Sequence, residues 1–253
     1  GLRTENILAR VTNPNPSTIF GTIQSTAFDS ANLFLMNPSG IVIGPTASLN
    51  VGGSVTFTTA NYLRLAGIDG SNPGIFHANA TLTSLLTSAP IAAFGFLSSS
   101  PSAIAIQGSA LSAESSKSIS LVGGNQKFFY IHPDTPDAES RTSVPDGVTI
   151  TSGTLIAPSG QVNLVSVASP GEVRYPNFVD GPNSNAAWFT TFGNISLTED
   201  ALIDVSADSA GAVRIRGGKL IIDNATVMAD TGNANGAPVA IDISVTGDTS
   251  IAS

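Results

Sequence analysis

Asp134, Asp137 and Glu139, with Arg141 just behind them, form the densest group of ionisable side chains in the chain. Two carboxylates held a fixed distance apart across a sugar cleft are what glycoside hydrolysis needs, so a polysaccharide-active enzyme would have to begin here. The group sits between Pro133 and Pro145, however, in a stretch whose composition is that of a solvated turn. Asp204, Asp208, Asp223, Asp230, Asp242 and Asp248 are spread over the last part of the chain, mostly at turns or outward strand positions. They would hold calcium only if successive turns brought them together, and the Gly-Gly-x-Gly-x-Asp calcium repeat is absent. His77 and His132 are the only histidines and lie far apart, a poor start for a zinc site. No Gly-x-Ser-x-Gly elbow occurs, and the glycines beside Lys in "GGNQK" and "RGGKL" lack phosphate-loop spacing. Trp188 could stack on a sugar; a single Trp in such a loop more often covers an apolar side of its own scaffold. These residues predict a chain without catalytic residues, metal site or cofactor.

Composition narrows the classes further. Apolar residues make up 42% of the 253 and charged ones only 11%, so an ordered protein must build its exterior from Ser, Thr, Asn and Gly. The formal charge is −8 and the few Arg and Lys are scattered, which argues against nucleic acid and against docking on a membrane surface. No cysteine is present, which excludes disulfides and thiolate metal sites. "APIAAFGFL" at 89–97 is too short to span a bilayer and contains Pro90 and Gly95. A membrane barrel would need aromatic girdles, which 6% aromatic residues scarcely supply. "GLRTENILARV" lacks the positive region and apolar block of a signal peptide.

The elements that must position any site are strands. Helical periodicity is nearly absent, whereas period-two alternation is everywhere. "AVRIRG" (212–217) sends Val213 and Ile215 one way and Arg214 and Arg216 the other, and "VAIDISV" (239–245) does the same with Val239, Ile241, Ile243 and Val245. A regular step links Leu197, Ile221 and Val245, then Ile203, Val227 and Ile251, then Ile215 and Val239. Within "KLIID" (219–223) the phase is ambiguous, because Leu220, Ile221 and Ile222 cannot all point inward. Looser copies occur upstream in "ASLNVGGSVTF" (47–57), "SALSAESSKSISLVGG" (109–124) and "SGTLIAPSGQVNLVS" (152–166), each an apolar pair, a small-residue corner and a second apolar pair. A fixed step of this size predicts a solenoid of short strands, most simply a parallel β-helix. Coils of about 22 residues rising roughly 4.8 Å each would give ~50 Å or more of rod. A lone coil buries too little to offset its ordering entropy, so each must dock on its neighbour.

One corner stands out. In "NLFLMNPSGIVIG" (32–44) two apolar runs flank Asn37-Pro38-Ser39-Gly40. Pro38 fixes its own φ and lacks an N–H, Gly40 permits positive φ, and Asn37 can hydrogen-bond backbone within the turn. "LFLM" and "IVI" therefore read as two sides of one coil. The segments 125–147 and 172–193 break the rhythm with Pro133, Pro136, Pro145, Pro176 and Pro182, and read as excursions whose aromatic residues pack back on the rod.

The run "NILARVT…IFGTI…ANLFLMNPSGIVIGPTASLNVGGSVTFTTAN" (6–61) resembles the haemagglutination-activity, or two-partner-secretion, domain of filamentous-haemagglutinin-like exoproteins. "GTLIAPSGQVNLVSVASPGEV" and "DALIDVSADSAGAVRIRGGKLIIDNATVMADTGNANG" are similar to the continuation of such proteins, so the resemblance covers most of the chain. It implies an all-β fold, a right-handed parallel β-helix with extra-helical loops. It also implies export through the periplasm by a dedicated outer-membrane partner transporter, to a secreted or cell-surface location, and a role in adhesion. The family's Asn-Pro-Asn-Gly-Ile motif falls on Asn37, Pro38, Ser39, Gly40 and Ile41, with Ser39 in place of the second Asn; these five are the candidate partner-recognition residues. The family's second motif, Asn-Pro-Asn-Leu, belongs ahead of "NILARV" and has no counterpart; "NPNP" at 13–16 lies after that segment and reads as a surface turn. The expected organisation is a single β-helix domain over 1–253, part of a longer exoprotein, with a secretion-domain-like core at 6–124 and regular coils at 194–253. The competing functions are a module that binds host or neighbouring-cell glycans or proteins, and a β-helical polysaccharide enzyme.

Overall fold

The computed structural model describes residues 4–25, 27–67, 74–132, 141–176, 178 and 189–253. The chain passes repeatedly over three ladders of strands, and each pass is one round. Round 1 is β1 (Asn6–Arg10), β2 (Ser17–Ile19) and β3 (Thr22–Gln24); round 2 is β4 (Asn32–Met36), β5 (Ile41–Ile43) and β6 (Ser48–Asn50). Round 3 opens with β7 (Val55–Thr58), leaves for β8 (Tyr62–Leu65), β9 (Ile75–His77) and β10 (Ile91–Phe96), and resumes with β11 (Ile104–Gln107) and β12 (Ala110–Ser112). Round 4 is β13 (Ser118–Gly124), a detour through β14 (Phe128–Ile131) and β15 (Arg141–Val144), then β16 (Val148–Thr151) and β17 (Thr154–Ile156). Round 5 is β18 (Gln161–Val167), a detour through β19 (Gly171–Arg174), and the long β20 (Ile195–Asp204). Rounds 6 and 7 are β21 (Ala212–Gly217) with β22 (Leu220–Met228), and β23 (Ile241–Val245) with β24 (Thr249–Ala252). The described residues include no helix.

The first ladder runs β1-β4-β7-β13-β18-β21-β23, one strand per round and parallel throughout. The second contains β2, β5, β11, β16, the first halves of β20 and β22, and β24. The third is built from β3-β6 and from β12-β17 continuing into the second halves of β20 and β22. Inward residues of all three ladders, among them Leu33, Ile43, Phe57, Ile106, Leu121, Ile150, Leu155, Leu164 and Ile203, form one buried column. "LFLM" and "IVI" lie on the first and second ladders as the corner motif predicts. The three looser copies upstream each place a third-ladder strand, a corner and the next first-ladder strand.

The expected columns need correction. Leu197 pairs with Ile222, not Ile221, and Ile222 pairs in turn with Ile251. Val245 lies on the first ladder opposite Gly217, and Ile215 pairs with Ile243, while Val239 precedes the strand and is exposed. Ile203 and Val227 do pair. The cause is a bulge: Glu199 and Asp200, both with positive φ (56° and 61°), stand opposite the single residue Asn224 (φ 46°). One extra residue there shifts everything on the first half of β20 by one step, which also settles the phase of "KLIID": Leu220 and Ile222 are buried and Ile221 faces out. Seven rounds at about 4.8 Å give roughly 30 Å, not ~50 Å, because long stretches leave the ladders.

Every long detour departs at the same place, between the first-ladder strand and the second-ladder strand of its round. The detour of round 3, which the alternation did not distinguish from rungs, supplies three strands of an antiparallel sheet ordered β19-β10-β8-β9. This sheet covers the outside of the first ladder, burying Phe34, Met36, Val122, Val165 and Val167 against Leu63, Phe94 and Phe96. The β14-β15 hairpin covers the outside of the second ladder, with Tyr130 and Val144 over Val42 and Ala105. Pro133, Pro136, Pro182, Trp188 and the group Asp134, Asp137 and Glu139 lie outside the described residues.

Candidate partner-recognition site

The corner Asn37–Gly40 is the shortest passage from first to second ladder in the N-terminal half, and it is filled rather than open. Asn37 is fully buried. Its backbone N–H donates to the Thr58 carbonyl of the next round (2.9 Å), and its own carbonyl accepts from Gly40 N–H (3.1 Å) to close the turn. Its side-chain oxygen accepts from Ser39 N–H (2.9 Å), the local bond expected of Asn at a turn. Its Nδ2 donates to the Asn15 carbonyl (3.0 Å) and to Ser17 Oγ (2.8 Å) of the preceding round. Gly40 has φ +114°, and a Cβ there would run into the Phe128 ring of the covering hairpin. Pro38 and Ser39 are half-buried, and Ile41 points into the central column.

Asn37 thus joins two turns that the sequence offers separately. "NPNP" (13–16) is a surface turn, as read, but it lies directly against the Asn37 corner and its Asn15 carbonyl is the amide's partner. Thr58 and Thr59 continue the same edge one round on: Thr58 Oγ1 donates to the Val122 carbonyl (2.8 Å) and Thr59 Oγ1 to the Ser102 carbonyl (2.7 Å). Both threonines are buried, and the only sequence signal for them is a polar pair closing the apolar strand "VTF". Above the two turns opens a cavity of about 330 Å³, walled by Val11, Pro14, Pro38, Leu82 and Leu97 and rimmed by Asn13, Ser39, Asn61, His77 and Asn79. Its lining carries no Asp, Glu, Lys or Arg.

Among the described residues the other candidate chemistry does not converge on a cavity. A larger cleft of about 560 Å³ beside β1 has one carboxylate, Glu5, among its lining residues, where glycoside hydrolysis needs two. Asp208 accepts from Asn233, Asp200 from Asn224, and Asp242 pairs with Arg216. Among the described residues no group of three or more His, Asp or Glu side chains could hold a metal ion. His77 lies near Tyr62 (ring centroids 6.2 Å) and His132 against Phe20 (4.7 Å), each on its own detour. A tight ionic cluster lies on the antiparallel sheet. Arg64 grips Glu172 with Nε (3.0 Å to each oxygen) and Nη2 (2.9 Å), and Tyr62 Oη donates to the same carboxylate (2.9 Å). Burial alone would push the Glu172 carboxyl up, but bonds from Arg64 and Tyr62 and the charges of Arg64 and Arg174 hold it below its ordinary value. Burial, reinforced by Glu172, pushes the Tyr62 hydroxyl up to about 12. The cluster ties strands together and faces no cavity described above.

In no described helix is there a stretch long and apolar enough to cross a membrane. Compared with known proteins, the chain gives no match to a curated protein and none to a solved structure. A family model does match, over residues 3–237, and its description is TPS secretion domain.

Proposed function

The chain belongs to the TPS secretion domain family, and from that premise we propose that it is the non-catalytic secretion domain of an exported adhesin, recognised by its outer-membrane partner at the Asn37–Ile41 corner and wound into a right-handed parallel β-helix as it emerges. Membership makes it the secretion domain of a two-partner-secretion exoprotein, exported across the outer membrane by a partner transporter. The finer reading draws support from the stacked parallel ladders, in which each round completes the hydrogen bonds of the one before. The whole chain is then one continuous domain of rounds and detours. The observation that carries the recognition step is the burial of Asn37 between two rounds. A transporter reads Asn37, Pro38, Ser39, Gly40 and Ile41 while the chain is extended, by strand addition. Winding then withdraws the motif into the turn, and release follows from folding.

Export and binding can be read separately. Asn37→Ala combined with Gly40→Ala is expected to reduce the amount of chain outside the cell and to weaken capture of the urea-unfolded chain by the transporter's periplasmic domains. Undiminished export with unchanged capture would remove the recognition role. Exposed Phe129 and Ile131, alternating along the outer side of the hairpin, favour a second reading in which this surface binds a host or neighbouring cell. Phe129→Ser with Ile131→Ser should abolish cell or glycan binding and leave export intact; retained binding places adhesion elsewhere. Turnover of a polysaccharide into reducing or unsaturated ends by the purified chain would overturn the non-catalytic assignment.

A further inference from the structure

The antiparallel sheet is assembled out of chain order. Strands β8, β9 and β10 leave round 3 together, but the strand that completes their sheet, β19, belongs to round 5 and lies 108 residues from its ionic partner on β8. β19 pairs with β10 through Ala93–Arg174, Phe94–Val173, Gly95–Glu172 and Phe96–Gly171. On one face β10 offers only Ala93 and Gly95, and a Cβ on Gly95 would collide with the Tyr62 ring. Tyr62 and Arg64 therefore reach across β10 and hold Glu172, so that β19 is fastened to two strands. On the other face Tyr175 sets its ring edge-on to Phe94 (5.7 Å) and to Phe34 (5.6 Å), and Phe178 stacks on Phe94 (6.2 Å). Phe34 is in β4, three rounds earlier than the segment that covers it.

We infer that β19, with Tyr175 and Phe178, is a late-closing strap that binds rounds 2, 3 and 5 into a single block. Until it arrives, β10 has an open edge and Phe34 and Phe94 lack their aromatic cover. Once it closes, the N-terminal rounds can open only together. The consequence for export rests on the secretion reading above: the chain stops sliding back in one step, when the strap has emerged, and not by equal increments round by round.

Hydrogen exchange of the purified, refolded full chain, followed peptide by peptide, tests the strap without any transporter. Val173→Pro removes a strand N–H from β19. It should raise exchange about tenfold or more, and to a similar degree, in β4, β8 and β10, with β21 and β22 changed less than about twofold. A rise confined to β19 and β10, with β4 unchanged, would overturn the inference. Where Val173→Pro does not fold, Glu172→Gln decides: a several-fold rise that includes β4 supports the strap and none at β4 refutes it. Either negative result leaves the secretion reading intact, since that stands or falls on the export and capture measurements.

Discussion

Rounds 1–5 and rounds 6–7 use the same inner column but differ on the outside. The first five are jacketed by the antiparallel sheet and the hairpin, and their strands carry apolar residues on both faces: Leu33 and Leu35 in, Phe34 and Met36 out; Val162 and Leu164 in, Val165 and Val167 out. Among the described residues no detour strand packs on the last two, and their first-ladder strands β21 and β23 alternate, with Arg214 and Arg216 on the opposite face from the inward Val213 and Ile215. A strand buried on both faces reads as a continuous apolar run and one buried on a single face alternates. Ile241, Ile243 and Ile251 on β23 and β24 are exposed at 42%, 41% and 69%.

The sharpest test sets one aliphatic or aromatic truncation in each region. Phe57, fully buried between Leu35 and Leu121, should cost about 3–5 kcal/mol when changed to Ala. Ile251→Ala, in round 7, should change stability by no more than about 0.5 kcal/mol. Urea midpoints followed by far-UV circular dichroism measure both. Similar losses at the two sites would mean that Ile251 is covered in solution as Phe57 is.

In the last two rounds an ion pair joins the outer faces of β21 and β23. Arg216 is nearly fully buried and bonds the Asp242 carboxylate, as well as the Asp242 carbonyl (2.9 Å). Asp242 is partly open to water. Asp242→Ala strands a buried guanidinium and should cost about 3 kcal/mol, whereas Arg216→Met frees a carboxylate that water can reach and should cost about 1 kcal/mol. Equal costs in thermal unfolding would show that the pair is effectively exposed. The jacketed region answers with a neutral device at its own corner: Asn37→Ala removes three side-chain hydrogen bonds and should cost about 2–3 kcal/mol. Gly40→Ala combines positive φ with the Phe128 contact and should cost about 1–2 kcal/mol.

The same contrast explains what could be read in advance. Alternation located the strands of both regions, and "NPSG" was legible as a corner because each of its residues has a local reason to turn. Strands β8, β9 and β10 are not legible as a separate sheet, since "YLRL" and "IAAFGF" alternate or run apolar just as rungs do, and sequence period carries no information on strand direction. The columns slipped because one bulge at Glu199–Asp200 changes the step by a single residue. The partner of Asn37 leaves one sequence signal: Asn15 lies 22 residues upstream, about one round, which fits stacking of the two Asn-Pro turns. The double-sided run "LFLM" was likewise a sign that something would cover its outer face.

The smallest expected effect concerns pH and separates the jacket from the last two rounds by chemistry. Glu172 is faced by Tyr62 and Arg64 on β8 and has Arg174 beside it on β19; β10 presents only Ala93 and Gly95, and His77 on β9 lies opposite Tyr62. Because the folded carboxyl titrates below its ordinary 4.5, its contribution is complete above that value and is lost as pH falls through the lower folded one. Tyr62 has the opposite sense: held neutral in the fold up to about 12, it contributes fully below 10.0 and fades as pH rises through about 12. The difference in urea midpoint between the natural chain and Glu172→Gln should therefore be flat from about pH 6 to 9 and shrink below about 4.5. A difference that changes near neutrality would show that the Glu172 carboxylate does not carry the coupling of β19 to β8 across β10.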